Sequence, residues 1–400
     1  MCKCLYLDNR ISITIGLTNW SVNNNDQFKF NISSSQELEL LTKGQILHLV
    51  HEQLAFKIKT HNNIMVLAGN GCSLDVEDSG CRDKWDVWSA CIDEVNDFIY
   101  SDIGDRRYSF IEEKSIEDLL SYLRCYQINL VNESNLYSYN ENLIKRIEVQ
   151  LAMLHRLNLP ENSYQHRLFL LKLVCMNICK SVSLYTTNYD TLFEQAASRS
   201  RILLKDGFSL VEPYYFLMSN YDLDFNISGV SRQIWSEELK ILPFYKLHGS
   251  IDWVFQDDGH IIKSENTSCP YVIYDSEMDF SWSFYHPFSD IQQQFEEDLA
   301  AESTLLLIVG YSFRVRYISS LIEKALAHNP DIEIVIVHFY IERLLIDDDV
   351  KGEYYSYCSD SGICEENLPA FLFEKNHVKP NVTIIWSTFK DFVDIFPLIR

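Results

Sequence analysis

Four short segments of the chain set chemically useful side chains directly after apolar runs: Gly69-Asn70-Gly71-Cys72-Ser73, Thr186-Thr187-Asn188-Tyr189-Asp190, His248-Gly249-Ser250 and Gly310-Tyr311-Ser312-Phe313. The first closes the stretch IMVLAGNGCS, residues 64–73, in which an apolar strand stops in a tight turn. Bare backbone N–H groups can approach a ligand closely there, as a bound diphosphate requires. In the second segment the Asn188 amide can orient a water or a hydroxyl, and Asp190 can orient Asn188. Histidine is the side chain that gives and takes a proton near neutral pH, so His248 is the candidate general base, with Gly249 beside it.

Each segment also has a plainer reading. A Gly-x-Gly after a strand serves in chain reversal, Asp190 could cap a helix starting near Thr191, His248 could be a turn residue, and Gly310 and Ser312 could merely open the next helix. His338, at the end of a later apolar strand, is either a ligand contact or a buried strand-end histidine. His48 and His51 stand at i, i+3 on a helical stretch, but no further His or Cys completes a ligand pattern, which favours a solvated helix face.

The runs that carry these segments are near-continuous and apolar: 64–68, 181–186, 242–247, 305–309, 332–340 and 382–386. Strands of that kind alternating with helices, clearest over 318–328, predict an α/β fold with a Rossmann-like parallel sheet and helices on both faces. In such a sheet all carboxyl ends lie on one edge, where ligands bind, so the four loops are expected to converge on one pocket. Residues from about 85 to 180 show helical spacing without a strand pattern and are expected to form a helical inserted subdomain, with Cys175, Met176 and Cys179 in its core. A second insert is expected at about 255–300. Residues 1–35 carry β-like runs at 11–17 and 28–32 and read as an N-terminal arm, after which Ser34 or Ser35 can cap a helix leading into the first strand. Residues 36–400 would then be the main domain.

Four hundred residues with 47% hydrophobic content suffice for one large elaborated domain or two. No apolar run approaches the roughly 20 residues of a membrane span, and no secretory leader pattern is present, so a cytoplasmic, non-membrane protein is expected. The eleven cysteines match neither a disulfide framework nor C-x-x-C zinc pairs. A net charge of -23 opposes direct binding to nucleic acid and suits a basic or multivalent protein partner.

In their order and chemistry the four segments resemble the nucleotide-binding core of the Sir2 superfamily, over roughly residues 60–90, 180–255 and 300–395. The forms Tyr-Thr-Thr-Asn-Tyr-Asp, Lys-Leu-His-Gly-Ser and Gly-Tyr-Ser-Phe resemble the bacterial Sir2-like NAD hydrolases of antiphage defence more than the protein deacylases. The deacylases' two C-x-x-C zinc pairs are missing, and LDVEDSGCRDKW stands where they carry a Pro-Asp-Phe-Arg loop. Asn70 replaces the usual small alanine of the first turn.

The resemblance implies an NAD+ glycohydrolase that takes NAD+ as substrate and needs no structural zinc. It assigns Asn188, His248 and Asp190 to catalysis. Ala68, Gly69, Asn70, Gly71 and Ser73, with Gly249, Gly310, Ser312, Phe313 and His338, would hold the dinucleotide, Ser312 meeting the adenine-side ribose. It further implies NAD depletion in abortive infection, an oligomer, and control by a partner, for which a HerA-type hexameric ATPase is the expected companion. A deacylase and a non-catalytic nucleotide-binding scaffold are the alternatives.

Overall fold

The computed structural model describes residues 3–7, 11–15, 20–24, 43–76, 79–81, 87–91, 115–129, 134–176, 180–223, 240–264, 267, 270–274, 284–313, 315–338, 368–374 and 377–399. The chain splits into two compact units, one of Met1–Asp75, Tyr164–Tyr185 and Phe295–Arg400, the other of Val76–Ser163 and Thr186–Gln294.

The first unit is built on a sheet. Its strands lie in the order β3 (Trp20–Asn24), β2 (Ile11–Ile15), β1 (Lys3–Leu7), β14 (Val382–Trp386), β11 (Glu333–His338), β10 (Thr304–Val309), β4 (Asn63–Ala68) and β5 (Ser181–Thr186). From β14 to β4 the pairing is parallel, and one register row runs Thr383, Val335, Leu307, Val66. All four side chains are at most 1% exposed. A strand buried on both faces has few positions to give to solvent, which is why these segments read as near-continuous apolar runs. The expected Rossmann-like α/β class is the one found.

Parallel neighbours need crossovers, and α8 (Arg316–His328) provides the one between β10 and β11. α1 (Lys43–Thr60) delivers the chain into β4, and α7 (Phe288–Ala300) precedes β10. α5 (Gln165–Met176) precedes β5 and packs against α9 (Phe389–Ile395), where the Phe169 ring lies 5.5 Å from that of Phe389 and 5.4 Å from that of Phe396. The Lys172 ammonium then donates to the carbonyls of Val393 and Phe396 at 2.7 and 2.5 Å, holding the last carbonyls of α9. A two-residue antiparallel pair, β12 (Phe373–Glu374) with β13 (His377–Val378), completes the unit's described strands.

Residues 3–24 do more than lead into the fold. Their three strands pair antiparallel, and β1 pairs antiparallel with β14, so they continue the sheet. The β-like run at 28–32 and the helix cap at Ser34 or Ser35 lie outside the described residues.

In the second unit β6 (Ile202–Lys205) and β7 (Lys240–Lys246) run parallel, and β8 (Trp253–Phe255) pairs antiparallel with β9 (Ile261–Lys263). Helices α3 (Ile116–Asn129) and α4 (Ser134–Leu154) pack through Leu119, Leu120 and Leu123 against Leu143, Ile147 and Leu151. The same apolar cluster includes Tyr189 and Ile251, so the helical pair rests on the loops that follow β5 and β7. The helical stretch is divided between the units, since α5 belongs to the first. Met176 is buried and Cys175 half-buried, whereas Cys179 lies outside the described residues.

Candidate functional site

In the first unit the chain enters the parallel sheet at β4, continues to β5 on one side, and later returns on the other side with β10. That reversal makes the carboxyl edge of β4 and β10 the topological switch point, where open α/β sheets bind ligands. Ala68 and Val309 face each other in register at this edge, and His338 ends the neighbouring β11. The sheet thus brings the Gly69–Ser73 turn, Gly310, Ser312, Phe313 and His338 together.

The turn itself is built differently from the bare-amide reading. The Gly69 N–H donates to Val309 O at 2.9 Å and the Gly71 N–H to Gly310 O at 2.9 Å. The N–H groups of Cys72 and Ser73 bond to Gly69 O and Asn70 O at 3.0 and 2.9 Å, forming the single turn α2 (Gly71–Leu74). All four amides are therefore spent within the protein, those of Gly69 and Gly71 on holding two loops together and those of Cys72 and Ser73 on closing the turn itself. A Cβ on Gly69 would come within 2.6 Å of Gly310 O, so the glycines are required by backbone contact as well as by any ligand. Asn70 and Ser312 are exposed, Gly71 and Gly310 partly so, while Ala68 and Ser73 are fully buried. What this edge offers a dinucleotide is the two exposed polar side chains and the partly open glycine backbone.

Phe313 holds a left-handed conformation, φ 57°, with its ring 5.3 Å from that of Tyr311. Outside glycine such a conformation persists only where the surroundings enforce it, and the Ser319 hydroxyl donating to Phe313 O at 3.2 Å is one restraint. His338 is 7% exposed, and burial pushes its imidazole down to about 4, so the ring is neutral at physiological pH.

The second unit assembles the other residues. The Leu247 N–H donates to Thr186 O at 2.9 Å and the Ile251 N–H to Tyr189 O at 3.0 Å, joining the segment after β5 to the segment after β7. Asn188 is set by a local turn, its N–H donating to Thr186 Oγ1 at 3.1 Å. Asp190 Oδ1 accepts the N–H of Leu192, the first residue of α6 (Leu192–Arg199), at 3.0 Å, so the helix-start bond is present. His248 follows β7 in a tight turn closed by Gly249 N to Lys246 O at 3.3 Å, and its carbonyl accepts the Ile273 N–H at 3.0 Å. Gly249 has φ 78°, and a Cβ there would lie 2.3 Å from Tyr271 O. Asn188 and His248 are 5% and 0% exposed.

Two features of this cluster escaped the sequence reading. The Tyr189 hydroxyl donates to Ile273 O at 2.9 Å, and its ring stands 5.2 Å from that of His155 and 6.4 Å from that of His248. Lys246, only 3% exposed, donates to Asp190 O at 2.5 Å and to Glu194 Oε1 at 2.9 Å. A lysine ending an apolar strand, LPFYK, was the signal for the second.

Residues 182–349 match the family model of the SIR2-like domain. The SIR2-like stretch contains Asn188, Asp190, His248, Gly249, Gly310, Ser312, Phe313 and His338, while the Gly69 turn precedes it. Domains of this family use NAD+ and are as a rule NAD-dependent enzymes. The match supports the Sir2 superfamily and the Rossmann-like fold seen here. No curated protein matches the chain. Among the described residues no group of three or more His, Cys, Asp or Glu could hold a metal ion, and no helix is long and apolar enough to cross a membrane.

Proposed function

We propose that this SIR2-like chain is an NAD+ glycohydrolase, splitting the bond between nicotinamide and ribose to give nicotinamide and ADP-ribose. The reading rests on one observation above the others. Within a SIR2-like match, Asn188 and His248 are held on two loops joined by the Leu247–Thr186 and Ile251–Tyr189 backbone bonds. In the proposed reaction the ribose C1′–N bond breaks with its electron pair going to nicotinamide. Water adds to the cationic ribose carbon and releases one proton. Asn188 orients that water or a ribose hydroxyl through its amide, and His248 accepts a proton. Asp190 acts through the loop it pins to α6.

The burial of Asn188 and His248 supports regulation, because a nucleotide reaches them only when covering groups shift. The proposed setting is antiphage defence in the cytoplasm, with NAD depletion released by self-assembly or by a partner such as a HerA-type hexameric ATPase. The acidic charge of -23 suits a basic protein partner.

The test is chromatographic. The protein is incubated with NAD+ alone, with an acylated peptide, and with the candidate ATPase. Nicotinamide and ADP-ribose formed independently of peptide are expected. Turnover that requires the acyl group would make the chain a deacylase, and NAD+ binding without product under every condition would make it a scaffold.

A further inference from the structure

Between Asp190 and His248 the chain runs through α6, β6 and β7, yet a side chain two residues before His248 reaches back to Asp190. Lys246 is the last residue of β7, two before His248, and its side chain turns back to the start of α6. There it donates to the backbone carbonyl of Asp190 and to the carboxylate of Glu194, at 2.5 and 2.9 Å. Lys246 is 3% exposed and the Glu194 side chain 19%, so the pair sits largely out of water. Burial raises the Glu194 carboxyl above the usual carboxylate range, and the Lys246 charge acts against that rise. Replacing such a pair by apolar groups is often neutral for stability, and buried ionic groups are best attested as devices that fix one arrangement. An apolar residue would satisfy the packing of β7 but would remove the ammonium's bond to the Asp190 carbonyl. That carbonyl lies two residues after Asn188, in the segment whose register with the His248 turn is set by the Leu247–Thr186 bond.

We propose that Lys246 is a positioning residue of the site: its ammonium locks the Asn188–Asp190 loop to the strand that carries His248, and Glu194 holds that ammonium in place. The proposal rests on the hydrolase reading for its effect on turnover, while its effect on the loop stands without it.

The experiment uses the full chain and three variants, Lys246→Met, Glu194→Gln and the double variant, and reads three quantities. Amide hydrogen exchange over residues 187–194 reports the loop directly. Lys246→Met and the double variant are expected to exchange there at least about tenfold faster than the parent, and Glu194→Gln by less, since the lysine–carbonyl bond survives in it. Thermal melting separates positioning from folding. Lys246→Met leaves a buried carboxylate unpaired and melts lower, and the double variant recovers most of that loss. In nicotinamide release, kcat is expected to stay down about tenfold or more in the double variant, with KM within about threefold. Parent-like exchange over 187–194 in Lys246→Met overturns the proposal, as does a double variant that regains kcat along with its melting temperature. A parent chain without nicotinamide release under any condition counts against the hydrolase reading alone, and the exchange result still decides the positioning role.

Discussion

Gly71 and Gly310 meet backbone to backbone. The Gly71 N–H bonds to Gly310 O at 2.9 Å, and a Cβ built on Gly71 would lie 2.7 Å from the Gly310 Cα. The two loops at the switch point thus form one rigid edge, and any nucleotide there meets a surface whose shape is set by the protein's own contacts.

Substituting either glycine is therefore a test of fold before it is a test of binding. Gly310 has φ 63°, and its added Cβ would stand 2.7 Å from the Cys72 nitrogen. A left-handed alanine costs about 1–2 kcal/mol before any clash, so Gly310→Ala is expected to lose about 2–4 kcal/mol in all. Gly71→Ala should lose about 1–3 kcal/mol from the clash alone. Calorimetric melting checks both, and a change under about 0.5 kcal/mol in either would contradict the packing described.

Gly249 makes the same point beside His248. With φ 78° and a Tyr271 carbonyl 2.3 Å from its virtual Cβ, Gly249→Ala should destabilise by about 2–4 kcal/mol. It should also move the adjacent histidine, so kcat for nicotinamide release should fall well beyond what the lost folded fraction explains. Activity measured far below the melting temperature separates the two effects.

Asn188 and His248 carry the proposed chemistry. His248→Ala is expected to lower kcat by about 10²–10⁴, the usual range for a general acid or base. Asn188→Ala should cost about 10²–10³, the range for removing one oriented polar group from a reacting centre. Both should keep measurable NAD+ affinity by titration calorimetry. Unchanged product formation in both variants would remove these residues from the mechanism.

His338 predicts a pH dependence whose sign follows from its burial. Its folded value of about 4 lies below the ordinary 6.5, so between those limits the unfolded chain binds a proton that the folded chain refuses. This contribution is present above about pH 6.5 and is lost as pH falls toward about 4, by an amount on the order of 3 kcal/mol. His338→Leu should flatten that part of the stability profile, as measured by denaturant unfolding at several pH values. A variant with the same slope as the parent would show that other groups set it.

Much of this was legible before any coordinates. The runs at 64–68, 305–309 and 332–340 read as buried parallel strands, because near-continuous apolar residues alternating with helices suit a sheet covered on both faces. The four polar loops follow from where such runs stop. The strands β1 and β3 were less legible: KCLYL and WSVNN are short, and only their pairing partners make them strands.

The sequence by itself determined the class of fold, the order of the four loops, and the residue types at their tips. Tertiary structure alone decided that the glycine turn's amides bond to the β10 loop, that Lys246 reaches back to the Asp190 carbonyl, and that His338 is neutral. The reason is physical. Strand and helix formation depend on apolar spacing within a dozen residues, whereas a backbone amide's partner and a side chain's desolvation are set by groups 50 to 240 positions away in the chain, as between Lys246 and Asp190 or Gly71 and Gly310.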